Sequence, residues 1–194
     1  MPIDMPPQIH ERIVCSIAAA VHYDVPANIV IAVAEKEAGK PGQWVRNANG
    51  THDVGAMQFN TAYLKTLTAQ YGITAEDVAA EGCYAYDLAA WRLHGHIAND
   101  SGDIWTRAAN YHSRTHYFNA IYRADLMLRA NKWADRLDLL MSGDQTKINA
   151  AISELAISKP VTANVTTTKS KPTYTATINT TYVPRKIVAK ADTE

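Results

Sequence analysis

The chain has 194 residues, 47% of them apolar and 20% charged, with 19 basic and 19 acidic side chains. That describes one globular domain with a good-sized core and room for an extension. The balanced charge argues against nucleic acid or an anionic membrane surface as a partner, and no apolar run is long enough to cross a bilayer.

A first helix is expected from Ile9 to Tyr23, with Ile13, Ile17, Ala20 and Val21 on one face. Asp24-Val25-Pro26 breaks it and starts a second, since proline is tolerated in a first turn. In that second helix Val30, Val33, Ala34 and Glu37 recur at i, i+3, i+4 and i+7, so the apolar stripe ends on a carboxylate. Gly39 and Pro41-Gly42 then stop the helix. A buried Glu37 has its charged form disfavoured, which suits a general acid near neutral pH; a Glu37 rotated into solvent would be an ordinary helix-end residue.

The segment from Asn47 to Asn60 is a polar, turn-rich loop that closes on Gly55 and becomes Met57-Gln58-Phe59-Asn60. Gly55 lets backbone approach a ligand, and the amides of Gln58 and Asn60 suit sugar hydroxyls and acetamido groups. Helical patterns follow over Thr61 to Tyr71, ended by Gly72, after Thr74-Ala75-Glu76-Asp77, and over Tyr86 to Ile97. His94-Gly95-His96 places two imidazoles on different sides of a helix and without further ligand spacing, so no metal is expected. Trp105, Ala108 and Ala109 form a close-packing face before the polar aromatic cluster Asn110-Tyr111-His112-Ser113. Tyr111 offers either a hydroxyl for a carboxylate and a ring for a sugar, or a core ring with its hydroxyl at the rim. Two more helical patterns span Asn119 to Leu140, with Arg123, Arg129, Lys132 and Arg136 read as a solvated basic face.

From Gly143 the composition turns Thr-, Lys- and Ala-rich, apart from a short amphipathic pattern over Ile148 to Ile157. Residues 143–194 are therefore expected to be a mostly disordered, basic tail with mild β-propensity around Tyr174 to Val183. Cys15 and Cys83 are either two quiet core thiols or one disulfide.

Glu37 followed by Gly55-Ala56-Met57-Gln58 resembles the signature of lytic transglycosylases of the lysozyme-like superfamily, with Ala56 where Leu or Pro is common. The run Glu-x-Gly, Asn-Gly, Asp-x-Gly-x-Met-Gln-x-Asn is most similar to the branch that accompanies conjugation and type IV secretion systems. Ala109-Asn110-Tyr111-His112 is similar to the family's Ala-x-Tyr-Asn motif, with His112 where Asn is usual.

The resemblance implies an all-α fold of the α+β lysozyme-like kind: a goose-type helical domain over residues 8–142 with a small β-like loop region. It implies cleavage of the β-1,4 MurNAc–GlcNAc bond of peptidoglycan, with formation of a 1,6-anhydro-MurNAc end, by Glu37 alone and without a cofactor. Tyr111 would orient Glu37, and Gly55, Met57, Gln58, Asn60, Tyr111 and His112 would line the cleft. It also implies a Cys15–Cys83 bridge, which would place the chain in an oxidising compartment. A monomer in the periplasm or otherwise exported is expected, acting on glycan strands; the tail docks either on a secretion or conjugation assembly or on anionic wall polymer, or is an unneeded extension. Residues 1–14 show no signal peptide, so either a leader was removed earlier, or the chain was trimmed, or export takes another route. The rival readings are an inverting muramidase with Asp53 as base, and a non-catalytic peptidoglycan-binding adaptor.

Overall fold

The computed structural model describes residues 7–142 together with Thr146, Ala150 and Ile187. The expected tail, its short helix and its β-prone stretch lie otherwise outside the described residues. Ile187 is half-buried against the core, so that one position packs on the domain.

The fold is mainly helical with one small sheet. In chain order the elements are α1 (Pro7–Tyr23), α2 (Ala27–Glu37), β1 (Trp44–Arg46), β2 (His52–Val54), β3 (Phe59–Asn60), α3 (Thr61–Tyr71), α4 (Ala75–Ala79), α5 (Tyr84–Asn99), α6 (Ile104–Ala109) and α7 (His116–Ser142). The three strands form an antiparallel sheet in the order β1-β2-β3, with Val45 opposite Asp53 and Asp53 opposite Asn60.

Helix α2 is the axis of the molecule. Every side chain from Ala27 through Ala34 is fully buried, so the helix is enclosed all round rather than along one stripe. Helices α1, α5 and α7 pack directly on it. Its one polar residue in that span, Asn28, donates to the Ala130 carbonyl of α7 at 3.3 Å, as a buried amide must. Cys15 and Cys83 are bonded, joining α1 to the start of α5 across 68 residues of chain.

Two expectations change. The two helical patterns after Asn119 belong to one 27-residue helix, α7. Its cations are not all solvated: Arg123 donates to Thr106 at 2.6 Å, and Arg129 pairs with Glu35 and Asp125 at 3.1 Å each. The 3.6-residue period continues through both patterns, and a basic side chain inside it was mistaken for a surface one.

Candidate active site

The carboxyl end of α2 is stopped by Ala38, which takes the left-handed conformation (φ 51°) and donates its N–H to Ala34. The next residue, Gly39, lies against the 55–58 turn. A Cβ there would stand 2.2 Å from the Gly55 carbonyl and 2.7 Å from the Gln58 amide nitrogen. Only glycine permits this approach, and it brings the helix-end carboxylate and the Gly55-Ala56-Met57-Gln58 turn to one place.

Glu37 borders an open cleft of about 270 Å³, with Lys36, His112, Phe118, Ile121 and Tyr122. Burial raises its pKa above the usual carboxylate value; the hydrogen bond from Tyr122 and the charges of Lys36 and Arg92 oppose that rise, and the charge of Asp53 adds to it. The Tyr122 hydroxyl donates to Glu37 Oε1 at 2.7 Å. Among the described residues no group donates to Oε2, so the second oxygen is the one left for a ligand.

The end of α2 is clamped by a single stripe of α7. Three successive residues of α2 each find a partner there: Glu37 takes Tyr122, Lys36 takes Asp125, and Glu35 takes Arg129 and, at 2.6 Å, the Trp133 indole N–H. Tyr122, Asp125, Arg129 and Trp133 follow one another at three and four residues, the spacing of one helix face. Asp125 is desolvated, yet Lys36 and Arg129 outweigh that cost and hold its pKa below normal.

Facing the same stripe, His112 stacks flat on Tyr122, with ring centroids 4.8 Å apart and planes within 5°. The Lys36 ammonium lies over the Tyr122 ring, 4.8 Å from its centroid. Burial, with Lys36 and Arg92 nearby, lowers the His112 pKa, so the imidazole is neutral at neutral pH. Asn119 holds the turn carrying it by donating to Asn110 at 2.7 Å.

The hydroxyl on the carboxylate is thus Tyr122's, not Tyr111's. Tyr111 is buried and donates to the Met57 carbonyl at 3.1 Å, which pins the 55–58 turn to the α6–α7 corner. The other expected cleft residues also have structural work. Met57 is fully buried. Gly55, at φ 71°, packs against Val78, whose carbonyl would lie 2.3 Å from a Cβ, so its freedom serves packing on α4 rather than a ligand. Gln58 is half-buried and returns its amide to the Gly55 carbonyl at 2.9 Å. Asn60 caps α3 by accepting from Ala62 N–H, and its amide donates to Asp53 at 2.9 Å. Asp53 therefore stands on β2 with one oxygen engaged, close enough for its charge to act on Glu37. Of the paired histidines, His94 is exposed and His96 is buried on Asp100 at 2.7 Å, so they do not converge.

Sequence reasoning missed Tyr122, Lys36, Asp125 and Arg92. For Tyr122 and Asp125 the available signal was the polar and aromatic stripe at 122, 125, 129 and 133 on α7.

No protein-family model matches the sequence. The chain is 30% identical over 126 residues to Protein IpgF of Shigella flexneri, an overlap covering 60% of this chain and 82% of that protein.

Proposed function

We propose that this chain, which belongs to the family of Protein IpgF, is a peptidoglycan lytic transglycosylase with a goose-type lysozyme-like fold. The observation that carries the reading is Glu37: a carboxyl group biased toward its protonated form by burial, fixed by one hydroxyl, with its other oxygen taking no donor among the described residues, at a cleft. An acid so placed protonates the glycosidic oxygen between MurNAc and GlcNAc as the bond breaks. The resulting carboxylate then takes the proton of the C6 hydroxyl of the same MurNAc as that oxygen closes on C1. The attack is intramolecular, so it gains effective molarity without a bound water and needs no second carboxylate. Tyr122 holds the carboxyl group in line and favours the carboxylate formed midway, and the clamp from α7 keeps the α2 end rigid. No cofactor enters the scheme. The Cys15–Cys83 bridge supports an oxidising location such as the periplasm, and the motifs support local opening of the wall for a secretion or conjugation assembly.

Digestion of purified sacculi followed by mass analysis tests this. Glu37→Gln should cut muropeptide release by on the order of a thousandfold or more, with fold and wall binding intact. Products should end in 1,6-anhydro-MurNAc, lighter by one water than hydrolytic ends. Asp53→Asn should cost far less, because Asp53 only tunes Glu37 and holds Asn60. Reducing-end products, with Asp53→Asn as inactive as Glu37→Gln, would replace the lyase by an inverting muramidase.

A further inference from the structure

A second pocket, of about 570 Å³, opens on the outer side of α5 and is lined by Tyr63, Trp91, Arg92, His94, Asn99 and Arg114, among others. Its charges are unequal in kind. Arg114 is spent on Asp100 at 3.0 Å, and Asp100 also takes the His96 ring and the Asn110 amide. Asn99 returns its amide to Gly95. Arg92 differs. Its guanidinium lies over the rings of Tyr63, at 4.3 Å, and Tyr111, at 4.6 Å. Among the described residues it makes no ion pair and donates no hydrogen bond to any acceptor. Cation–π contacts fix the plane of a guanidinium without using its N–H donors, which lie at its edge.

Arg92 is therefore a positioned fork with open donors on a pocket wall. The Tyr111 ring it covers is followed directly by His112 on the wall of the Glu37 cleft, so pocket and cleft are neighbours. The planar fork matches a carboxylate in a bidentate pair, with geometric specificity that a lysine would lack. Resting on the lytic reading above, we infer that Arg92 binds a carboxylate on the peptide arm of the MurNAc being cleaved, so that the enzyme reads peptide-bearing glycan in preference to bare glycan. The pocket beside it, lined also by Trp91 and the paired Arg114 and Asp100, receives that arm.

The test is binding by the full chain, with probes that lack the scissile MurNAc–GlcNAc bond and so are not turned over. The probes are a GlcNAc–MurNAc disaccharide bearing an alanyl-glutamate dipeptide, and the same compound with its carboxyl groups amidated. Amidation should weaken binding about tenfold, the scale of one charge-assisted bidentate contact. With Arg92→Met added, the two compounds should bind alike. Arg92→Lys should fall between, since charge without the fork recovers part of the preference. Equal affinity for the two probes, no binding of either, or the same amidation effect in Arg92→Met would overturn the assignment. The first comparison needs no change at Arg92, so misfolding of that variant cannot obscure it. Failure of the lytic reading shows separately, as the absence of 1,6-anhydro products from the wild-type chain.

Discussion

Tyr122→Phe isolates the one hydrogen bond to Glu37, because the ring keeps its other roles. It remains stacked on His112 and under the Lys36 ammonium, so only an oxygen is lost. A hydrogen bond to a charged group contributes about 1.5–3 kcal/mol, and one between neutral groups about 0.5–1.5. The Tyr122 hydroxyl therefore favours the carboxylate over the acid by about 1 to 1.5 kcal/mol. Its removal leaves burial less opposed, and the Glu37 pKa rises further. The upper limb of the kcat/KM profile, where the acid form runs out, should then move to higher pH. Turnover at the optimum should fall about tenfold as the carboxyl group loses its alignment.

The assay is the pH dependence of muropeptide release, with a carbon-13 titration of the Glu37 carboxyl group as a readout that needs no turnover. Tyr111→Phe is the control the geometry supplies. It breaks the bond to the Met57 carbonyl and should lower stability while leaving the Glu37 titration in place. A shifted titration in Tyr111→Phe with none in Tyr122→Phe would refute the assignment of the two hydroxyls.

Reduction of the Cys15–Cys83 bond, which spans 68 residues, should cost about 4 kcal/mol in the chain-entropy description; chemical denaturation with and without reductant reads it, and an unchanged midpoint would count against the bridge. Asp100 is partly desolvated, yet bonds from Arg114, Asn110 and His96 outweigh this and lower its pKa from 3.8 to about 2. Its folded value being the lower, it stabilises the fold above its unfolded value, and the contribution drains away as pH falls toward 2. Asp100→Asn should thus be less stable than wild type at neutral pH, with the gap in melting temperature closing in acid. Ending the chain after Ser142 removes the half-buried Ile187, which should lower stability by about 1 kcal/mol and the melting temperature by roughly 2–4 °C, while wall digestion is unaffected. A melting temperature unchanged by the truncation would mean that the Ile187 contact contributes nothing.

What the sequence discloses about this molecule follows from the range over which each interaction acts. Helix α3 was legible to the residue because its helical pattern and its stop, Gly72, are local chemistry. The capping box of Thr74 and Asp77 opened α4 for the same reason. Glu37 was legible as the end of a stripe because 3.6-residue periodicity is local too. Whether Gln58 and Asn60 face a sugar or their own backbone was not legible, since both amides satisfy either partner equally well. The structure gives them to Gly55, Ala62 and Asp53. The choice between Tyr111 and Tyr122 depends on a contact across 85 residues, and nothing in either residue's neighbourhood encodes it.

The arrangement at the α2 end also explains why a helix so apolar finishes in Glu35-Lys36-Glu37. Three successive side chains on a helix point about 100° apart, so one neighbouring helix ordinarily meets only one of them. Here α7 reaches all three because its partners differ in length: a long tyrosine for Glu37, a short aspartate met by the long Lys36, and an arginine with an indole for Glu35. The alternation of signs leaves Asp125 between Lys36 and Arg129, and Glu35 beside Arg129, so each of these charges is paired. Glu37 is the exception, held by a neutral hydroxyl instead of a cation. A cation in the position of Tyr122 would have stabilised the carboxylate and kept it ionised. The tyrosine fixes its direction while leaving its proton available. The clamp therefore separates rigidity, supplied by the paired charges one and two residues earlier, from acidity, set at Glu37 by burial.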